Sequence, residues 1–129
     1  MELNTYEQEV KRTVEHLIKS GSAYELEELD KIYSTELKIV MINENSQVIT
    51  FNREENMALF AAKRRAGDAP LDTYADFNYV EASDSFGHVI VTRKMALGDR
   101  VDKIIFSLYL KKIDTVWQVY RETAFIQPA

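Results

Sequence analysis

Four long segments with strand character fill the second half of the chain, and they limit its fold more than any other feature. They span roughly 75–83, 88–98, 101–113 and 116–126. Turns predicted at Asp84-Ser85-Phe86-Gly87, Gly98-Asp99-Arg100 and Ile113-Asp114-Thr115 join each segment to the next. Long strands that pair in sequence must twist and coil. The pattern therefore predicts a strongly curved antiparallel sheet.

Two helices are predicted before any strand. Asn4 with Glu7 has the form of a capping box, in which each side chain accepts a hydrogen bond from the free backbone N–H of the other residue. Gly21 is expected to end this first helix, because glycine adopts the left-handed conformation of a helix C-terminus without steric cost. Ser22 with Glu25 has the form of a second capping box and predicts a short second helix. The apolar face of the first helix comprises Tyr6, Val10, Val14, Leu17 and Ile18.

A hairpin and a third helix are predicted next. From Glu36 the apolar residues alternate as in a strand, and residues 48–51 form the returning strand. Asn52 with Glu55 forms a capping box, and Gly67 is expected to close the helix that this box opens. Three N-terminal helices packed on a curved antiparallel sheet define an α+β fold, in which the sheet curls around the helices.

The composition fits a single domain that spans residues 1–129 and lies in the cytoplasm. Hydrophobic residues make up 46% of the chain and charged residues 29%, as in an ordinary globular protein. No apolar run approaches the roughly 20 residues of a membrane-spanning helix, and Met1–Asn4 does not have the form of a signal peptide. A chain without cysteine suits a reducing compartment. The net charge of −5 disfavours nucleic acid as a partner.

Residues 104–110 indicate that both faces of the sheet are covered. The even-numbered positions of this segment are all apolar, and the odd-numbered ones are mixed (Ile105, Ser107 and Tyr109). A sheet with one face in water alternates apolar and polar residues more regularly than this. We therefore expect the helices to cover one face and a second copy of the chain to cover the other, which makes a homodimer. A large monomeric core is the alternative.

Three short stretches, together with the order of the predicted elements, carry a resemblance to a known group of proteins. Ser20-Gly21-Ser22 forms a break of small residues between the first two helices. The stretch from Leu29 to Val40 leads from the second helix into the first strand, and Val116-Trp117-Gln118-Val119 opens the last strand. In these features the chain resembles the nuclear transport factor 2-like superfamily, which includes ketosteroid isomerase, scytalone dehydratase and the SnoaL-like polyketide cyclases.

The resemblance covers the whole chain and implies an architecture rather than an activity. It implies a cone-shaped α+β barrel of the cystatin-like kind, with a pocket between the helices and the sheet, and a dimer. The particular activity does not transfer, because fold and function separate readily in such scaffolds.

The resemblance places the three chemical groups of ketosteroid isomerase at Val14, Met41 and Tyr109. That enzyme needs a tyrosine, a carboxylate base and a protonated aspartate. Because neither Val14 nor Met41 can donate or abstract a proton, the isomerase reaction is not expected. Tyr109 keeps a phenol that would donate to a ligand carbonyl, with Ser107 on the same strand face, and it is the catalytic candidate. The alternative is a core tyrosine whose hydroxyl bonds to backbone or water.

The other polar groups give weaker signals. His16 lies on the polar face of the first helix and His88 follows a turn, so neither has the setting of a buried catalytic histidine. Glu122 follows Arg121 in an otherwise apolar strand, so one of the two points inward, and Arg93 raises the same question. A structural ion pair or a position at the rim of the pocket is the expected role of these charges. Neither a metal nor a cofactor is expected, because the chain has no metal-ligand spacing and no glycine-rich phosphate loop.

The sequence leads to three hypotheses for function. The first is binding of a small, mostly apolar molecule in the pocket, with turnover left open, because ligand sites combine apolar walls with a few polar groups. The second is a SnoaL-like or dehydratase-like enzyme that uses Tyr109 with a carboxylate not assigned here. The third is a noncatalytic protein-interaction module that binds through its sheet. The predicted pocket lining comprises Val14, Leu17, Tyr33, Met41, Phe60, Ser107 and Tyr109.

Overall fold

The structure, a computed structural model, describes residues 2–97 and 100–128. Over these residues the chain forms helices and strands in the predicted order of two helices, a hairpin, a helix and four long strands. The helices are α1 (Thr5–Ser22), α2 (Leu26–Ile32) and α3 (Arg53–Ala66). The strands are β1 (Tyr33–Ile42), β2 (Val48–Asn52), β3 (Ala75–Ala82), β4 (Phe86–Leu97), β5 (Arg100–Ile113) and β6 (Val116–Pro128).

Two of the three predicted capping boxes are confirmed. At the start of α1 the Asn4 side chain accepts from the Glu7 backbone N–H at 2.7 Å, and the Glu7 carboxylate accepts from the Asn4 N–H at 2.9 Å. Asn52 and Glu55 make the same two bonds at the start of α3. Gly67 closes α3 with a left-handed φ of 69°, as the sequence predicts.

The predicted boundary between α1 and α2 is wrong in detail. Gly21 does not end α1, which continues through Ser22, and Tyr24 makes the left-handed turn that follows. The predicted box of Ser22 with Glu25 does not form, because Ser22 is still helical and its hydroxyl accepts a hydrogen bond from Arg93. Glu25 precedes α2 without a capping hydrogen bond from its side chain.

The six strands form one mixed sheet in the order β2-β1-β6-β5-β4-β3. Five neighbouring pairs are described, and four of them are antiparallel, whereas β1 and β6 run parallel. The prediction of a wholly antiparallel sheet is therefore corrected at this one pair, which brings the first strand beside the last. The described sheet ends at β2 and β3 and is not closed, so the predicted barrel is not confirmed.

The turn between β5 and β6 follows the predicted chemistry, whereas the predicted turn between β3 and β4 is wrong in its bounds, because Phe86 and Gly87 already belong to β4. Asp114 and Thr115, with φ values of 50° and 68°, form the two-residue turn between β5 and β6. Two successive positive φ values match the twist of the flanking strands in a tight hairpin. The predicted turn at Gly98-Asp99-Arg100 includes Gly98 and Asp99, which lie outside the described residues.

The helices pack on one face of the sheet, which we call the inner face. Helix α1 lies against β3, β4 and β6, and α3 lies against β1 and β2. Helix α1 approaches the sheet closely at Gly87, where a Cβ atom would lie 2.7 Å from the Val10 side chain. Among the described residues, no helix is both long enough and apolar enough to cross a membrane. The fully buried apolar side chains between α1, α2 and the sheet include Val10, Val14, Leu29, Val89, Leu110 and Val119.

Candidate functional site

Two adjoining cavities lie between the helices and the inner face of the sheet. The first cavity has a volume of about 120 Å³ and extends toward α1, where Leu17, Ile18 and Gly21 line it. The second has a volume of about 180 Å³ and extends toward β1 and β2. Their walls are mostly apolar, so the few polar side chains stand out. Both cavities share Asn56, Phe60, Leu71, Met95, Phe106 and Glu122.

Glu122 is the buried carboxyl group of this site. On β6 it pairs with Leu108 of β5 and Ile39 of β1, both of which are inner-face residues, so its side chain points toward the helices. The residue is 9% exposed. Burial raises the pKa of Glu122 to about 7, because a carboxylate is poorly solvated there, and the positive charge of Arg93 only partly opposes that rise. At neutral pH a large share of Glu122 is therefore the uncharged acid.

Arg93 is the buried cation of the first cavity, and its guanidinium group is held by backbone oxygens. Nε donates to the carbonyl of Tyr74 at 3.2 Å, and Nη2 donates to the carbonyl of Asp72 and to Ser22 Oγ. Burial lowers the pKa of Arg93, but an arginine keeps its charge at physiological pH. Within residues 2–97 and 100–128, Arg93 and Glu122 line one cavity without an ion pair between them.

Two neutral polar groups complete the site. Tyr33, the first residue of β1, is 4% exposed, and its phenol pKa is raised by burial and by the nearby Glu122, so it stays protonated. Asn56 of α3 is 8% exposed and lines both cavities. Its Nδ2 group is buried and makes no hydrogen bond of ordinary geometry, although the Tyr33 phenol lies close enough for Asn56 to oppose the rise of the Tyr33 pKa. A buried amide donor left unpaired is costly, and such a group in a cavity is a sign of a missing ligand or water.

The segment between α3 and β3 closes the site from one side. Leu71 lines both cavities, while its neighbours in the segment are exposed. The backbone N–H of Leu71 donates to the Ser22 carbonyl at 2.9 Å, and the Tyr24 hydroxyl donates to the Ala69 carbonyl at 2.8 Å. Arg93 adds its bonds to the same segment. Arg93 therefore lines the first cavity and also holds the segment between α3 and β3 in place.

Four of the seven predicted lining residues line these cavities. Leu17 and Tyr33 line the first cavity, Met41 the second, and Phe60 both. Val14 lines neither, because it is fully buried in the packing between α1 and the sheet. The ligand-binding role of these residues remains a prediction.

Ser107 and Tyr109 do not lie in the cavities, and this corrects their predicted position. In β5, Phe106 and Leu108 line the first cavity, and side chains alternate between the two faces of a strand. Tyr109 pairs with His88 on the opposite, outer face, where the two rings stack with centroids 4.4 Å apart. Ser107 Oγ lies 2.9 Å from His88 Nε2 on that face. Met41 and Tyr109 therefore face opposite sides of the sheet.

The sequence had signalled two of the polar groups without assigning them to the site. Glu122 and Arg93 were conspicuous as charged residues in apolar strands, but the pattern did not show which face they occupied. The expected ion pair between such charges does not form at this site. Asn56 left no sequence signal, since a polar residue in a helix ordinarily faces solvent.

The histidines and acidic residues form no metal site in the described residues. His16 is exposed on α1, with Nε2 3.1 Å from a Glu28 carboxylate oxygen. His88 lies on the outer face, and its pKa is lowered by burial. In the described ranges, no group of histidine, aspartate and glutamate side chains is arranged to hold a metal ion.

Comparison with known proteins identifies the fold. No protein-family model matches the sequence, and a search of curated proteins gave no match. Solved structures do match it. An NTF2-like protein from Cytophaga hutchinsonii is 13% identical with a TM-score of 0.75, over 97% of this chain and all (100%) of that one. An NTF2-like protein of unknown function from Silicibacter pomeroyi is 14% identical with a TM-score of 0.73, over 92% of each chain.

A further match leads to the same fold. An NTF2-like protein of unknown function from Shewanella baltica is 11% identical with a TM-score of 0.72, over 98% of this chain and 100% of that one. At these identities the likeness concerns the fold and not the activity. The chain has the NTF2-like fold, and the predicted resemblance to nuclear transport factor 2-like proteins is confirmed at that level.

Proposed function

We propose that the chain binds a small, mostly apolar molecule in the two cavities. The observation that carries this proposal is the unpartnered amide of Asn56, buried in an apolar wall beside the carboxyl group of Glu122. Buried polar groups in folded proteins are nearly always paired, so a hydrogen-bonding ligand accounts for both groups. Apolar walls with a few convergent polar groups are typical of small-molecule sites.

The dimensions of the cavities favour a ligand smaller than a typical drug. Ligand pockets ordinarily range from about 300 to 1,000 Å³. The cavities here have volumes of about 120 and 180 Å³, so they reach the lower end of that range only when they are taken together. A ligand that occupies both would lie past Phe60 and Leu71, which line each of them.

Two-dimensional amide NMR with small probe molecules tests this proposal. Toluene, benzamide and hexanoate are titrated separately, and we expect saturable shifts for amides around the cavities, such as those of Asn56, Phe60 and Leu71. A variant with Ala124→Leu narrows the second cavity, so the probes should bind it more weakly and produce smaller amide shifts at the same concentration. The proposal is wrong if none of the probes produces a saturable shift, or if only amides of outer-face residues shift.

A second candidate is an enzyme of the SnoaL-like or dehydratase-like kind, favoured by the pKa of Glu122. A carboxyl group with a pKa of about 7 suits proton transfer near neutral pH, and the Tyr33 phenol lines the same cavity. In this version Glu122 takes the place of Tyr109, whose ring lies against His88. The test is deuterium exchange at the carbon next to the carbonyl of cyclohexanone in D₂O. Exchange that Glu122→Gln abolishes would support the enzyme, and exchange equal to the uncatalysed rate would exclude this reaction.

We also propose that the outer face of the sheet forms a homodimer. An apolar row on this face runs from Ile105 of β5 through Phe125 of β6 to Ile42 of β1, and Tyr79 and Phe125 are 42% and 40% exposed. Contiguous exposed apolar surface is typical of protein interfaces. A face that binds another protein instead is the third functional hypothesis. The outer-face apolar residues include Val40, Ile42, Tyr79, Ile90, Ile105 and Phe125.

Two broader predictions remain part of the proposal. Residues 1–129 are proposed to fold as one domain, which the core shared by α1, α2 and the sheet supports. A cytoplasmic location is supported by the absence of cysteine from the sequence. Cell fractionation tests the location, and a membrane or secreted fraction would contradict it.

A further inference from the structure

The distribution of charge in the first cavity restricts its ligand. Arg93 brings one positive charge into apolar surroundings, and Glu122 does not form an ion pair with it within the described residues. A buried charge without a close counter-charge is costly. The nearby Asp72 favours the charge of Arg93 electrostatically, but Asp72 is exposed. The cavity itself therefore favours a negatively charged guest.

The groups that face the cavities include several hydrogen-bond donors. Asn56 Nδ2 has no partner, and the Arg93 guanidinium has used Nε and Nη2 on protein oxygens, while Nη1 makes no hydrogen bond with a described residue. The acid form of Glu122 adds an O–H, and Tyr33 adds a phenol. A group with several lone pairs and one negative charge satisfies this set, and a carboxylate has about four acceptor positions.

We infer that the natural ligand is a small monocarboxylic acid with an apolar body, bound as its carboxylate by Arg93, Asn56 and the Glu122 acid. This inference rests on the proposed function and names the chemical class of its ligand. The carboxylate lies in the first cavity, next to the guanidinium. The apolar body extends past Phe60 toward Met41 in the second cavity, where the walls are almost entirely hydrocarbon.

Other ligand classes fit the same groups less well. A cationic ligand would lie beside Arg93 in a medium of low dielectric and would be repelled. A neutral amide or ketone offers one carbonyl oxygen and leaves part of the donor set unpaired, which costs affinity. A dicarboxylic acid would place its second charge in the second cavity, where Lys63 is the one cation among the described lining residues and its Nζ already lies 3.8 Å from an Asp68 carboxylate oxygen.

Binding of a carboxylate is coupled to protonation of Glu122. The titratable groups that face Glu122 from the packed elements are Arg93 of β4 and Tyr33 of β1, while α3 brings Asn56 and, in the second cavity, Lys63. The neighbouring positions of β5 and α1 in the cavity wall are apolar. A bound anion disfavours the ionised form of Glu122 further and raises its pKa above about 7. The complex therefore takes up a proton when it forms above pH 7.

The test is calorimetric titration of the full chain with hexanoate and hexanamide at pH 6.5 and pH 8.5. These probes have the same chain length and differ in charge. We expect hexanoate to bind at least tenfold more tightly than hexanamide at pH 6.5. Its affinity should fall above pH 7 by up to about tenfold per pH unit, the limit for one linked proton. The affinity of hexanamide should change little.

Two conservative variants make the test specific to the named groups. Glu122→Gln keeps the size and a hydrogen-bond donor, so it should retain hexanoate binding within about threefold at pH 6.5 and lose the pH dependence. Asn56→Leu removes an unpaired donor and should weaken hexanoate binding at least fivefold. Asn78→Leu, at an exposed asparagine of β3, is the matched control and should leave binding unchanged. Arg93→Met is avoided, because Arg93 also holds the segment around Asp72 and Tyr74.

Each outcome separates the two levels of the proposal. Equal binding of hexanoate and hexanamide would overturn the carboxylate inference and leave the small-molecule function standing. Selective binding of hexanoate with the same pH dependence in the wild type and in Glu122→Gln would overturn the role of Glu122. The absence of binding by either probe, together with no saturable NMR shift from toluene or benzamide, would overturn the proposed function and the inference with it.

Discussion

Glu122 and Arg93 face the same cavity from β6 and β4, with β5 between them, and no ion pair joins them in the described part of the chain. The carboxyl group is consequently governed by its burial, and its pKa rises to about 7. A structural ion pair would have lowered that pKa instead. The predictions below follow from this raised pKa and from the buried polar groups around the cavity.

The first prediction concerns stability as a function of pH. Because folding raises the pKa of Glu122 from 4.5 to about 7, the folded state binds the proton more tightly than the unfolded state does. The stabilisation from this proton is fully present below pH 4.5 and is lost as the pH rises through 7, at a cost of about 3 kcal/mol. Glu122→Gln removes this loss and should be more stable than the wild type at pH 8 by up to that amount.

Urea denaturation of both proteins from pH 4.5 to 8 measures the effect. The two free energies of unfolding should be close at pH 4.5 and should diverge up to pH 7. Titration of His88, whose pKa is lowered by burial, is common to both proteins and cancels in the difference. If the free energies of unfolding of the two proteins stay parallel across the whole pH range, folding does not raise the pKa of Glu122.

The second prediction contrasts two asparagines. Asn56 has an unpaired buried amide, so Asn56→Leu should stabilise the ligand-free protein by about 1 kcal/mol or more, since the desolvation cost of the amide disappears. Asn52 caps α3 through a paired side chain, so Asn52→Ala should destabilise it by about 1 kcal/mol. Urea denaturation checks both signs. Destabilisation by Asn56→Leu would mean that the amide has a partner in solution without ligand.

The third prediction contrasts two glycines. A methyl group at Gly21 meets Phe60 at 3.6 Å, an ordinary contact, and alanine suits a helix better by about 1 kcal/mol. Gly21→Ala should therefore raise the melting temperature, and it should also weaken hexanoate binding because it narrows the first cavity. Gly87→Ala, whose methyl group would lie 2.7 Å from the Val10 side chain, should destabilise by about 1–3 kcal/mol. If Gly21→Ala lowers the melting temperature, Gly21 is not a helical position with room for a methyl group.

The fourth prediction concerns the outer face. Phe125 of β6 pairs with Ile105 of β5 and Ile42 of β1, so it lies in the middle of an apolar row. Phe125→Glu should convert a dimer to a monomer at micromolar concentration, as measured by light scattering after size exclusion. Tyr6→Glu changes an exposed residue of α1, on the helical side of the sheet, and serves as the control. A wild-type protein that is monomeric at this concentration would contradict the dimer.

Local patterns predicted the element order well, because their causes are local. The capping boxes at Asn4 and Asn52 and the C-terminal glycine at Gly67 each depend on residues within one turn of helix. Ser22 with Glu25 has the same pattern and failed. The Ser22 hydroxyl accepts a hydrogen bond from Arg93, which is distant in sequence, and Tyr24 adopts the left-handed conformation after α1.

The candidate site was harder to predict. Successive side chains in a strand point to opposite faces of the sheet, but the sequence does not show which face packs against the helices. The resemblance places Tyr109 in the pocket, with Ser107 on the same strand face, yet the apolar Phe106 and Leu108 line the first cavity. The pairing of β4 with β5 and of β5 with β6 brings Arg93 and Glu122 to one cavity. No segment of the sequence contains that information by itself.

The central claim is that a carboxylate binds beside Arg93 and Asn56. The most direct test is a crystal structure determined from crystals soaked with hexanoate at pH 6.5. We predict the carboxylate in the first cavity, with oxygens about 2.7–3.2 Å from nitrogen atoms of Arg93 and Asn56, and the alkyl chain in the second cavity. Side chains that fill both cavities, or hexanoate bound only at the surface, would contradict the account.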